Sequence, residues 1–220
     1  MHGQEIESPA AFRAKSLLAR HRYFENLPSD NRVFEFGVGT GVNLAQLEVA
    51  ERAGFDISET AAELSRQQGI TVFPDQQSVP RGHFDVVVCR HVLEHVPDPT
   101  QVLDYLSATL APGGRLLLIL PVESRPRHMR RLPEKDVNQH LFNWKLNHIA
   151  NLLRVCGMEV ESFTYQWYSM QRILRFMPDR FGVRAYHSAV ALAGRLRRQS
   201  EMVVWARQTR PSTVRDERRS

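Results

Sequence analysis

Five short apolar runs alternate with helical stretches through the first 121 residues, and this rhythm limits the fold more than any other feature. RVFEFG (32–37), RAGFD (52–56), GITVFPD (69–75), HFDVVVC (83–89) and GRLLLILP (114–121) read as strands. Between them, Val42–Ala50, ISETAAELSRQQG ending at Gly69, and TQVLDYLSATL after Pro99 read as helices. Proline suits a first helical turn and glycine suits a helix end. Strands that alternate with helices at this spacing form a parallel sheet covered on both sides. GRLLLILP is nearly all apolar, as a strand buried on both faces should be.

After Pro121 the rhythm breaks. A polar, Arg- and Pro-bearing stretch runs to about Asn138. LFNWKLNHIANLLRVCG (141–157) reads as a helix, GMEVESFTYQWY (157–168) as a strand, and 169–199 as a helix interrupted at Pro178 and Gly182. EMVVWARQ (201–208) reads as a last strand, and Pro9–Leu27 as an amphipathic helix. With 220 residues, 42% of them hydrophobic, one full core is expected. The expected organisation is an N-terminal helical cap (1–30), a main domain (31–208) with a helical insert at about 169–199, and a disordered tail (209–220).

Charge is unevenly spread. Residues 171–220 carry 12 arginines and 4 acidic residues, more excess charge than the whole chain's net +5. A second basic knot, Arg125, Arg127, Arg130 and Arg131, lies in SRPRHMRR. Such surfaces suit anionic partners, although arginine usage can also reflect genome composition. No apolar run approaches the ~20 residues that span a bilayer, and MHGQEIESP lacks the basic and apolar regions of a signal peptide. Cys89 and Cys156 are expected as free thiols. The expected location is cytoplasmic, with peripheral contact at an anionic membrane as an extension.

The loop in VFEFGVGTGVNL (33–44) asks what it holds. The dinucleotide fingerprint is G-x-G-x-x-G. Gly37 and Gly39 fit it, but its third glycine position is Val42, and a glycine stands one residue early, at Gly41. A pyrophosphate also wants no nearby anion, and Glu35 lies two residues before the first glycine. A carboxylate there suits an ammonium or other cation. Asp56, at the end of the second strand, can accept from ribose hydroxyls. A ribose, a cationic end and no essential phosphate describe S-adenosylmethionine.

With EFGVGTG, GFDIS, FDVVVCRHVLEHVPDP and LAPGGRLLLILP in this order, the chain resembles the class I S-adenosylmethionine-dependent methyltransferases over roughly residues 32–207, and is similar to the ubiquinone-biosynthesis type. The resemblance implies an α/β, Rossmann-like, doubly wound, seven-stranded mixed sheet with an antiparallel last strand. It also implies cofactor roles. Glu35 would support the loop and the methionine ammonium, while Gly37 and Gly39 would let the backbone approach, with Gly41 in the same cofactor-binding loop. Asp56 would bind the ribose with Ile57 beside the adenine, Asp75 and Gln76 would meet the adenine edge, and Cys89 and Arg90 would lie by the methionine. Asp75 has a second reading, as a cap for the next helix.

HVLEH (91–95) matches the H-x-x-E-H zinc peptidase string. That chemistry needs a continuous helix, whereas this string follows a strand directly and runs into VPDP. The resemblance implies a metal-free site, since metal-free relatives also read LEHV here, with Glu94 and His95 anchoring the loop by hydrogen bonds. The alternative is a divalent ion held by His91, Glu94, His95 and His140, since some related methyltransferases carry E-x-x-E-H here and bind one. Methyl transfer depends on positioning and water exclusion, and a hydroxyl acceptor gains from a general base. His91 and His140 are the histidines placed for that role. The expected activity is methylation, at oxygen, of a small-molecule or lipid-like acceptor that is anionic or lipid-linked, leaving S-adenosylhomocysteine. An RNA or protein methyltransferase using the basic C-terminal region, and a cofactor-binding protein without catalysis, are the alternatives. Nucleic acid is not the expected partner, because no stacking array or RNA-binding module is present.

Overall fold

The computed structural model describes residues 8–122 and 139–209. The basic knot at 125–131 and almost all of the expected tail lie outside the described residues. The elements, in order, are α1 (Pro9–Tyr23), β1 (Arg32–Phe36), β2 (Glu51–Phe55), α2 (Glu59–Arg66), β3 (Thr71–Val72), β4 (Phe84–Arg90), α3 (Pro99–Thr109), β5 (Leu110–Val122), α4 (Leu146–Val155), β6 (Met158–Trp167), α5 (Met177–Arg197) and β7 (Ser200–Gln208).

The seven strands form one sheet in the order β3-β2-β1-β4-β5-β7-β6. β1 to β5 pair in parallel, and β7 runs antiparallel to both β5 and β6. The Rossmann-like mixed sheet with an antiparallel last strand is therefore observed. The order reverses between β1 and β4, and in open α/β sheets ligands sit beyond the carboxyl ends of the strands at such a point.

Local chemistry sets the helix starts. Ser8 caps α1, its hydroxyl accepting from the Ala11 N–H, with Pro9 in the first turn. Asp98 caps α3, accepting from the Thr100 and Gln101 N–H groups ahead of Pro99. These bonds satisfy N–H groups that a helix start leaves unpaired.

Three expected elements differ. Val42–Ala50 is a series of tight turns rather than a helix: Leu44 and Ala45 donate to Gly41 O, and Ala50 N–H already closes on Asn31 O at 3.0 Å. The span is too short to hold a helix and still return to β2. The helix expected from 141 starts only at Leu146, because the Leu141 and Phe142 N–H groups are committed to Glu94 O. β3 has two residues; Pro74, which has no N–H to donate to a sheet, follows close behind.

Strand parity sorts the core into two layers. Phe34, Phe36, Val87, Cys89, Leu116, Leu118, Leu120, Met202 and Val204 face one side, packed with Leu103 and Leu106 of α3 and Ile149 and Leu153 of α4. Val33, Val86, Val88, Leu117, Ile119 and Val203 face the other, packed with Ala19 and Tyr23 of α1. A third cluster, Ala14, Leu18, Tyr186 and Val190, joins α1 to α5.

Candidate cofactor and acceptor site

The same parity places three charged residues on one face. Side chains alternate along a strand, so Glu35 follows Val33 and Arg90 follows Val88. Glu201 precedes Val203 by two. All three therefore project to the α1 side, near the carboxyl ends of β1, β4 and β5; Glu201 pairs in register with Pro121.

Glu35 is fully buried, and Asn43 Nδ2 donates to its Oε1 at 2.5 Å. Its Oε2 is buried with no hydrogen-bond partner. Burial, only partly offset by the Asn43 bond and the Arg90 charge, pushes its carboxyl up to about 8. A buried carboxyl with an unused oxygen is prepared for a donor supplied by a ligand.

Each loop glycine meets a different constraint. Gly37 (φ = +78°) donates to Phe55 O at 2.8 Å, and a Cβ there would meet Val92 Cγ2 at 2.4 Å. Gly39 (φ = +57°) faces open space. Gly41 closes on Ser65 and Ile70. Of the three, only Gly39 has open space where a side chain would stand; at Gly37 and Gly41 neighbouring side chains fill it.

Asp56 ties this loop to the β2 tip: Oδ2 accepts from Gly39 N–H at 2.8 Å and Oδ1 from Ser58 N–H at 2.9 Å. Each oxygen keeps a lone pair for a hydroxyl. Ile57 is 92% exposed beside it, an apolar side chain free to cover a flat ring. Asp75 accepts from both the N–H and hydroxyl of Ser78 at 2.7 Å, and these bonds hold its carboxyl below the usual range. Asp75 therefore caps a turn, and not the helix expected after it, since none forms between β3 and β4. Gln76 contributes its backbone carbonyl to Tyr105. Cys89 is on the opposite face from Arg90, fully buried in the α3–α4 core, where burial pushes its thiol up. Its side chain cannot line a pocket on the α1 side.

Arg90 Nη1 donates to Asn43 Oδ1 at 3.3 Å, and its guanidinium lies over the Tyr23 ring. Its Nη2 is 3.5 Å from Glu201 Oε2. The Tyr23 hydroxyl donates to Glu201, and two further groups lie near it as charge contacts without hydrogen-bond geometry, Arg22 Nη2 at 2.7 Å and His91 Nε2 at 3.4 Å. Burial pushes the Glu201 carboxyl up, but His91, Arg90 and Arg22 together outweigh it and bring it down to about 2. His91 itself sits in the left-handed region (φ = +53°), its N–H bonded to Ile119 O. Arg22, Tyr23, Asn43 and Glu201 were not singled out from the sequence. The available signal for Glu201 was a charge beginning an otherwise apolar strand, EMVVWA.

HVLEH forms turns rather than a helix. Glu94, His95 and His140 bring one donor atom each within 4.8 Å of one another. His91 is outside this group and turns to Glu201 instead. Both Glu94 carboxylate oxygens are buried without a hydrogen-bond partner, and the His95 and His140 rings meet edge-on at 4.9 Å. One carboxylate and two imidazoles fit a divalent ion.

Fold and site together define a Rossmann-like protein with a buried carboxyl at the β1 tip, an open Gly39 and Asp56 at the β2 tip. A family model described as a methyltransferase domain matches residues 10–163. The chain belongs to this family, the class I S-adenosylmethionine-dependent methyltransferases. It is 35% identical over 98 residues to the ubiquinone biosynthesis O-methyltransferase of Bordetella pertussis, covering 39% of this chain and 41% of that protein. The chain thus spans about two-fifths of that relative's length. The enzyme of the same description from Xanthomonas axonopodis pv. citri is 34% identical over 168 residues, covering 66% of this chain and 70% of that one. A solved S-adenosylmethionine-dependent methyltransferase from Thermotoga maritima, described as a possible histamine N-methyltransferase, superposes with a TM-score of 0.61 at 20% identity over 91% of each chain. At that identity the likeness concerns the fold.

Proposed function

We propose that this protein transfers a methyl group from S-adenosylmethionine to an oxygen of a small-molecule or lipid-like acceptor. The observation that carries the reading is the chain Glu35–Asn43–Arg90 on the α1 face, with His91 next along. Glu35 and the Asn43 amide would take the amino-acid ammonium, Arg90 its carboxylate, and Asp56 the ribose hydroxyls, with Ile57 over the adenine. The sulfonium supplies an activated methyl group. The protein's own part is to hold the acceptor in line, exclude water and accept a proton. His91 is assigned as the base over His140, since it follows Arg90 directly and its Nε2 lies 3.4 Å from a buried carboxylate.

The acceptor class rests on α5 and the segment before it. Residues 171–199 carry seven arginines and one acid, and Ile173, Phe176, Phe181, Leu192 and Leu196 are exposed there. A basic surface studded with apolar side chains suits an anionic membrane that presents the acceptor. No helix of the described residues is long and apolar enough to cross a membrane.

A second reading concerns the reaction's assistance rather than its class. The unpartnered Glu94 carboxylate favours a divalent ion held with His95 and His140, which would orient and acidify an acceptor hydroxyl. Zinc titration by calorimetry, with Glu94→Gln as the comparison, tests it.

The activity is tested by incubating the protein with methyl-labelled cofactor, a catechol probe, and separate lipid, RNA and protein extracts. Label in the catechol or lipid fraction as an alkali-stable ether is expected. Label only in RNA or protein, or none in any fraction, contradicts the reading.

A further inference from the structure

We infer that Glu201 is a positioning residue: its carboxylate, 3.4 Å from the His91 imidazole, faces Nε2 and favours the proton there, leaving Nδ1 as the nitrogen that takes the acceptor's proton. The inference rests on His91 being the base.

Glu201 is fully buried at the start of β7, on the face shared with Glu35 and Arg90. A buried carboxylate is costly unless paired and hydrogen-bonded, and this one has partners from two directions. From α1 come the Arg22 guanidinium and the Tyr23 hydroxyl. From the end of β4 and the residue after it come Arg90 and His91. Arg22 is itself held, its Nε donating to Gln166 on β6 and its guanidinium lying over the Tyr168 ring. With three elements locking it, the carboxylate is fixed in place. The His91 side chain is 30% exposed, with its Nε2 buried on the Glu201 side, and its backbone is left-handed.

The chemistry follows from the two ring nitrogens. A carboxylate facing Nε2 favours the tautomer with the proton on Nε2, since an N–H beside an anion is an attractive contact and a lone pair there is not. Nδ1 then carries the free lone pair. As the acceptor's O–H bond breaks and its O–CH₃ bond forms, the proton passes to Nδ1. The S–CH₃ electron pair stays on sulfur as a neutral thioether, and the imidazolium finds the Glu201 anion waiting. The charged groups around the ring are Glu201 on β7, Arg90 on β4, and Arg22 and Tyr23 on α1, with Glu94 three residues on and Tyr168 after β6. Arg22 and Arg90 already neutralise part of Glu201, so the effect on His91 is smaller than a lone carboxylate would give.

The test reads the ring directly in full-length protein saturated with adenosylhomocysteine, labelled with ¹⁵N-histidine and assigned with His91→Asn. Long-range ¹H–¹⁵N correlation near pH 8 is expected to give the Nε2–H tautomer for His91. In a folded Glu201→Gln that preference for the Nε2–H tautomer is expected to be lost. Tyr23→Phe, which removes one bond to the carboxylate and keeps its charge, should leave the tautomer unchanged. A wild-type ring protonated on Nδ1 overturns the inference, whether or not Glu201→Gln folds, and so does an unchanged tautomer in a folded Glu201→Gln. The underlying reading fails separately: catechol methylation undiminished in His91→Asn removes His91 as base while leaving the tautomer result standing.

Discussion

Glu35 and Arg90 are joined through one side chain: Asn43 donates from Nδ2 to Glu35 and accepts at Oδ1 from Arg90. An acid and a base thus stand about one amide apart on neighbouring strands, opposite in sign to the two ends of an amino acid. The amide's orientation is set by both partners, so neither charge can shift without the other.

Cofactor binding is expected to release protons. In the free protein burial holds Glu35 protonated below about pH 8. A bound ammonium favours the carboxylate and lowers that value. Adenosylhomocysteine binding at pH 7 should therefore release close to one proton, seen by calorimetry as an enthalpy that varies with buffer ionisation heat. Glu35→Gln should abolish that variation and weaken binding. Free-protein stability should also fall as pH rises from 4.5 toward 8, because the folded state keeps a proton that the unfolded state has lost. Glu35→Gln should flatten that slope.

Gly37 and Gly39 should separate stability from binding. Gly37→Ala combines a left-handed backbone with a contact on Val92. The backbone alone costs about 1–2 kcal/mol, a fall in Tm of roughly 2–8 °C. Gly39→Ala meets nothing in the protein, so it should lower Tm by the backbone cost alone while losing more adenosylhomocysteine affinity than Gly37→Ala. Thermal melts paired with calorimetry check both.

Acid should act through Glu201. Its carboxyl lies depressed to about 2 against an ordinary 4.5. Its contribution to stability is fully present above 4.5 and is lost as pH falls through that window. Urea unfolding at pH 3 and pH 6 should show a smaller difference in Glu201→Gln than in wild type, the variant being less stable at pH 6.

Vesicle sedimentation should find the α5 surface. Binding to phosphatidylglycerol vesicles is expected at low salt and should weaken as salt rises. Binding to phosphatidylcholine should be weak. Replacing Arg180 and Arg184 with Glu should reduce the anionic binding several-fold without changing affinity for adenosylhomocysteine.

Much of this site was legible in the sequence because its first half is local. Glu35, the glycines and Asp56 sit within 22 residues, and strand-turn chemistry fixes what such spacings can do. The sheet was legible from apolar runs for the same reason. What escaped reading is held across the chain. Tyr23 and Glu201 lie 178 residues apart and meet only because β7 inserts beside β5. The opposite placement of Cys89 and Arg90 needed strand parity and the packing of α3 to decide which face was core. Val42–Ala50 had helical spacing, but tertiary closure on Asn31 left it as turns. Capping by Asp75 was one of two readings that a Pro-Asp pair allows, and only the Ser78 bonds show that it caps a turn.

The most direct measurement of the central claim is calorimetric titration of the purified protein with adenosylhomocysteine and, in parallel, with NAD⁺. A buried carboxylate at the β1 tip and an open Gly39 predict saturable heat with adenosylhomocysteine and none with the dinucleotide. Saturable heat with NAD⁺ and none with adenosylhomocysteine would contradict it.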